Sequence, residues 1–233
     1  MFSLTTTHLR FVCEAMTPLC LEVENFRAGQ NLRGALGQVM TRTYCAGDLN
    51  DPAHAASCPV HWLLAANEKP GQERRGYTLV PPASEPASGL NPGERFEFGI
   101  TLFGDALKFL PYFVLAIPEM GRGGVGAGRG KFLLKSVWAE NPFTRERECL
   151  LAEGENLVHT PTLMMTYAEV VRIANSKWLI ASGDGQMAID FVTPTRLIEE
   201  GKLAQAPAFD VLFARMLKRL DDLAEPACAA ANP

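Results

Sequence analysis

RFEFGITL, Arg95 to Leu102, is the stretch on which the reading of the fold turns. Phe96, Phe98, Ile100 and Leu102 alternate with Arg95, Glu97, Gly99 and Thr101. That period of two marks a strand with one face buried and one face wet. Downstream, Asp105 to Met120 is apolar and long enough for a helix, with Pro111 placed to start its main body. A ten-residue loop, GRGGVGAGRG from Gly121 to Gly130, then leads into the strand-like KFLLKSVW, Lys131 to Trp138. Upstream, Tyr77 to Val80 reads as a strand closed by Pro81 and Pro82. Leu32, Ala35, Leu36, Val39 and Met40 recur at helical spacing within Phe26 to Tyr44. His8 to Val23 reads as a strand broken at Pro18, and Ala46 to Pro59 as a loop.

The order over residues 8 to 138 is therefore strand, helix, strand, strand, helix, strand. This is the βαββαβ pattern of an α+β, ferredoxin-like domain. It predicts one antiparallel four-stranded sheet with two helices on one face. The expected division is an N-terminal domain over 1–140, carrying the glycine-rich loop, and a linker with a second, incomplete ferredoxin-like domain over 141–233. In that second part Arg147 to Ala152 and Met187 to Val192 read as strands and Leu163 to Ala174 as a helix. Ala208 to Leu223 is an amphipathic helix with Phe209, Leu212, Phe213, Met216, Leu217 and Leu220 on one face.

The 233 residues carry a formal net charge of −4, and 47% are apolar. That balance argues against binding nucleic acid by overall charge and leaves room for a local basic site. No apolar run approaches the ~20 residues that span a bilayer, and Met1 to Arg10 has no signal-peptide pattern. The expectation is a cytoplasmic protein with no membrane partner. Its six cysteines are then expected to be reduced.

The glycine-rich loop is the most unusual feature. Gly121, Gly123 and Gly126 satisfy G-x-G-x-x-G, but a helix precedes them and a strand follows, the reverse of a dinucleotide site. Gly130-Lys131 is followed by Phe132, so the phosphate-binding P-loop fails as well. What remains is a loop whose backbone, at Gly124 and Gly126 among others, admits close approach of a phosphodiester. Arg122, Arg129, Lys131 and Lys135 surround it, with no acid from Gly121 to Ala139. Arg33, near the start of the first helix, is a further candidate for an anion. Cys45, Cys58 and His61, with Cys13 or Cys20, form a candidate zinc set. Only Cys58 and His61 are close in sequence, whereas structural zinc favours two close pairs, so no metal is expected.

Several segments together resemble the CRISPR-associated endoribonucleases that process precursor CRISPR RNA, members of the RAMP superfamily. They are LRGALG (Leu32 to Gly37), Cys45, CPVH (Cys58 to His61), LFGDALKFLPYFVLAI (Leu102 to Ile117), GGVGAGRGKFLL (Gly123 to Leu134) and DFVTPTRL (Asp190 to Leu197). The resemblance implies cofactor-free cleavage of CRISPR repeat RNA. The 2′-hydroxyl attacks the adjacent phosphate and leaves a cyclic phosphate. General acid and base roles would fall to His61, His54 or Tyr44. RNA contacts would fall to Arg33, Arg42, Arg122, Gly124, Gly126, Arg129 and Lys131. It also implies an RNA partner and other CRISPR effector subunits. The alternative is a non-catalytic RNA-binding subunit of such a complex. The family's second domain continues beyond the helix at Phe209 to Leu223. Here either a partner completes that sheet, or the chain is shortened, or the segment from Arg147 supplies the missing strands.

Overall fold

The computed structural model describes residues 4–45, 47–48, 51–64, 76–86, 88–178, 188–189, 191, 195–199 and 201–224. Two compact units are distinguishable, Thr5–Met165 and a second formed by Met1–Leu4 with Thr166–Pro233.

The first unit is built on β1 (Thr5–Ala15), β2 (Tyr77–Val80), β3 (Arg95–Phe103), β4 (Phe132–Glu140) and β5 (Arg147–Leu151). Their order across the sheet is β2-β3-β1-β4-β5, and every neighbouring pair is antiparallel. The first four strands thus have the ferredoxin-like arrangement expected from the sequence. β5 extends the sheet beyond it. The alternation around Phe98 does what the pattern predicts: Phe96, Phe98, Ile100 and Leu102 are buried. Phe98 stacks on Phe11 of β1 at 5.3 Å between ring centroids, and Phe96 meets Phe132 of β4 edge-on at 5.4 Å. Such aromatic pairs fix the register of three adjoining strands on one core.

Two helices complete the motif. α1 (Ala28–Tyr44) buries Leu32, Leu36, Val39 and Met40, the positions spaced for one helical face. Between α1 and β2 lie two six-residue helices, α2 (Pro52–Ser57) and α3 (Pro59–Leu64). The loop expected over Ala46 to Pro59 is therefore partly helical. Asp51 explains why: its carboxylate accepts from the Ala53 N–H at 3.0 Å and caps α2, and Pro52 opens the first turn. The second helix of the motif begins as a 3-10 turn, Gly104–Phe109, and continues as α4 (Leu110–Gly123) with Pro111 in its first turn.

The strand expected from His8 to Val23 ends at Ala15. Beyond it, Leu19 pairs with Leu90 in an isolated bridge, and Glu85 accepts from the backbone N–H groups of Leu21 and Val23. This segment therefore runs beside the loop between β2 and β3 rather than in the sheet.

In the second unit the described residues form α5 (Tyr167–Trp178), a hairpin of Ile198–Glu199 with Lys202–Leu203, and α6 (Phe209–Ala224). α5 starts four residues after the helix expected at Leu163. Half of the strand expected at Met187 to Val192 falls outside the described residues. Phe209 and Phe213 of α6 stack at 5.6 Å, and they remain exposed together with Met216, Leu217 and Leu220.

Candidate nucleic-acid interface

The sheet face away from the core carries charge, but that charge is internally balanced. Arg10 donates to both Glu97 and Glu140. Arg147 lies 3.4 Å from Glu140. Arg95 reaches Glu153 at 3.1 Å, and Lys135 pairs with Glu14 and Glu153. The Arg10 hydrogen bonds hold the Glu140 carboxyl below its ordinary range, against the opposing effect of burial. His8, one pair further along β1, accepts or donates a 2.9 Å hydrogen bond with Thr101. Burial pushes its imidazole below the usual value, with Glu140 acting in the opposite sense. Of these, His8, Arg10, Arg95, Glu97, Thr101 and Glu140 line a cavity of about 750 Å³. Four cations facing four carboxylates leave little field for an anionic ligand.

The second groove, about 550 Å³, has the opposite character. It lies between α1 and the end of α4. Ala35, Gly37, Gln38, Val39, Thr41 and Arg42 line one side, and Met120, Gly123, Gly124 and Arg129 line the other. Among the described residues its lining includes two arginines and no acidic residue. Helical residues 37 and 123 are glycines whose missing side chains would meet nothing within 4 Å. Glycine inside a helix costs about 1 kcal/mol relative to alanine. No packing among the described residues repays that cost at these two positions.

The glycine-rich loop itself is a closed turn. Val125 and Gly130 exchange backbone hydrogen bonds at 2.9 and 3.0 Å, and the Arg129 N–H donates to Gly126 at 3.1 Å. Gly124 and Gly126 have φ of 81° and 74°. A Cβ on Gly126 would overlap the Cys20 carbonyl, and one on Gly130 would crowd Pro18 and Leu19. The close approach at Gly126 is thus to the protein's own chain. Arg129 takes φ 49°, a left-handed conformation that is costly for a side-chain-bearing residue.

Of the residues singled out in the sequence, the groove brings together Arg42, Gly124 and Arg129. Arg33 lies nine residues from Arg42 on α1, which at 3.6 residues per turn puts it on the opposite side of the helix. Arg122 is tied to Glu119 at 2.7 Å on its own helix. Lys131 is exposed at the start of β4, its N–H donating to the Thr17 hydroxyl at 2.9 Å. Tyr44 ends α1 and meets Tyr112 edge-on at 5.7 Å. Burial, and then the charge of Glu119, raise its phenol above the ordinary value. His61 lies on α3, half-buried. Gly37 is conspicuous in the sequence as a glycine inside a helical pattern, where its intrinsic cost suggests close approach to the backbone; nothing in the sequence sets Gly123 apart from the other glycines of the loop.

His54 stands with two cysteines. Its Nε2 is 3.1 Å from the Cys45 sulfur, which is 3.9 Å from the Cys58 sulfur. All three ligand atoms lie within 4.8 Å of one another. His54 thus takes the place given to His61 in the zinc set considered from sequence. Cys13 does not join it: it is buried in the core, where desolvation raises its thiol well above the ordinary range.

The family model AF_1859_N, described as an N-terminal domain, matches residues 4–163. The chain belongs to this family. The match ends within two residues of the first compact unit at either side, so the AF_1859_N domain here is the ferredoxin-like unit with its groove. No curated protein matches the sequence. Among solved structures, a chain of the Csm3-Csm4 subcomplex of the type III-A CRISPR-Cas interference complex aligns with 65% of this chain and 93% of its own. The identity is 11% and the TM-score 0.43. Likeness at that level decides neither fold nor function. The ferredoxin-like assignment stands on the strand order.

Proposed function

We propose that this chain is a CRISPR-associated RNA-binding protein whose AF_1859_N domain grips a sugar–phosphate backbone in the groove between α1 and the end of α4. The observation that carries this reading is the pairing, in one groove, of two guanidinium groups without a carboxylate and two helical glycines with open faces. Guanidinium groups suit phosphate oxygens, and the glycines let a backbone come close. The resemblance of LRGALG and GGVGAGRGKFLL to CRISPR RNA-processing proteins supplies the RNA class, since both segments contribute residues to this groove. The exposed apolar face of α6 supports a further protein partner, such as another effector subunit.

Cleavage of repeat RNA by 2′-hydroxyl attack is the finer reading, and Tyr44 favours it. Tyr44 ends α1 and packs on Tyr112 of α4, the other helix flanking the groove, and its phenol, kept protonated by burial, would give a proton to the departing 5′-oxygen. The test is single-turnover incubation with end-labelled repeat RNA and no added divalent ion. A product ending in a cyclic phosphate, lost in Tyr44→Phe with affinity unchanged, supports the nuclease. Tight binding without any product supports the non-catalytic subunit. Affinity for repeat RNA that is unchanged by Arg42→Ala and Arg129→Ala overturns the groove assignment.

A further inference from the structure

We infer that Cys45, His54 and Cys58 bind a zinc ion that clamps the end of α1 to the α2–α3 segment. The inference is independent of the RNA reading.

The local chain is built for such a set. Cys45 is the residue on which α1 ends, its N–H still donating to Thr41 at 3.3 Å. His54 and Cys58 stand four residues apart, joined through one helical turn by the Cys58 N–H to the His54 carbonyl at 2.9 Å. That spacing puts two side chains on one face. The Asp51 cap and Pro52 fix where the turn begins. Gly47 lies against the imidazole, and a Cβ there would overlap the His54 ring. The bend after α1 therefore leaves space for this histidine.

The spacing of the ligand atoms is that of a tetrahedral metal. Zinc–sulfur bonds of about 2.3 Å and zinc–nitrogen bonds of about 2.0 Å at tetrahedral angles separate two sulfurs by about 3.8 Å, and sulfur from nitrogen by about 3.5 Å. The observed separations are 3.9 Å for the two sulfurs and 3.1 Å for sulfur to Nε2. These two separations differ from the tetrahedral values by a few tenths of an ångström, and His54 Nε2 lies within 4.8 Å of the Cys58 sulfur. Two thiolates and an imidazole are soft and borderline donors, which select zinc over magnesium or calcium. With three protein ligands, water completes the coordination.

The clamp also answers a stability question. α2 and α3 have six residues each, far too few to persist as helices in isolation. Their buried anchors are Cys58, Val60 and Leu63. A metal binding only the folded arrangement stabilises it by mass action. It also engages His54 as a ligand, which removes that imidazole from acid–base duty.

The experiment uses the full chain, purified without chelator. Elemental analysis is expected to find about one zinc per chain. Replacement by cobalt(II) is expected to give thiolate-to-metal charge-transfer absorption together with the intense visible bands of a tetrahedral site. Cys45→Ser, His54→Asn and Cys58→Ser are each expected to lose these bands, whereas His61→Asn and Cys20→Ser keep them. Because a variant can fail through misfolding, the wild-type cobalt spectrum stands as a separate readout, and zinc is expected to raise the wild-type melting temperature. Protein that retains no zinc and shows no charge-transfer band on cobalt titration overturns the inference. So does a His54→Asn spectrum equal to wild type, or a purified protein whose mass shows Cys45 and Cys58 joined as a disulfide.

Discussion

Arg129 shows how a single residue can work against the fold and for a ligand. Its φ of 49° lies where glycine is at ease and a side chain is not. The turn that imposes this angle also delivers the guanidinium to the groove. Arg129→Gly is therefore expected to leave the melting temperature unchanged or raised, because about 1 kcal/mol of backbone cost is removed. RNA affinity should fall at the same time. Calorimetric melting and a binding titration on one preparation check both signs, and a fall in stability would mean that the side chain supports the fold. His8 is strained in another way. Its imidazole is pushed below the ordinary value by burial, so the unfolded chain takes up a proton at a pH where the folded chain does not. Stability from this residue is present above about pH 6.5 and is lost as pH falls through the lower, folded value. His8→Gln, which keeps a partner for Thr101, should flatten the decline of melting temperature between neutral pH and about pH 5.

At the scale of elements, the glycines fall into two groups with opposite expected behaviour. Gly121, in the last turn of α4, lies against β4, and a Cβ there would overlap the Phe132 carbonyl; Gly121→Ala should destabilise by more than about 1 kcal/mol, the usual scale of overpacking. Gly37 and Gly123 are helical with open faces. Gly37→Ala and Gly123→Ala should stabilise by about 0.5–1 kcal/mol and weaken RNA binding, as read by denaturant unfolding beside an affinity measurement. The sequence made the elements legible where hydrophobic period decides them, as in the Phe96 to Leu102 alternation or the Leu32 to Met40 face of α1. It also made the loop conspicuous. It did not separate Gly126, which must pass the Cys20 carbonyl, from Gly123, which faces open space, because both are simply glycines until the chain is folded. The same holds for the histidines. CPVH made His61 the natural companion of Cys58, whereas the Asp51 cap turns the segment into a helix and brings His54 to the cysteines. β5 was legible as a strand, but its place at the sheet edge follows from pairing between Trp138 and Cys149 and their neighbours, which a local pattern does not specify.

For the molecule as a whole, the question is how a chain of net charge −4 attracts a polyanion. The open face of the sheet answers by exclusion. Arg10, Arg95, Lys135 and Arg147 are matched there by Glu14, Glu97, Glu140 and Glu153, and their fields largely cancel within the ~10 Å over which salt lets them act. Arg42 and Arg129 in the groove have no such carboxylate lining beside them. Phosphate binding should therefore be local, and its salt dependence small but measurable. Each phosphate contact on a single strand contributes about 0.7 to the slope of log affinity against log salt. Arg42→Ala with Arg129→Ala should lower that slope by about 1.4 and weaken binding most at low salt. Arg95→Gln is the matched control. It removes an exposed arginine whose charge is already spent on Glu14 and Glu153, so neither affinity nor slope should move. Equal losses from the groove pair and from Arg95 would show that the RNA senses only overall charge. A loss confined to the groove pair assigns the phosphate contacts to α1 and the glycine-rich turn.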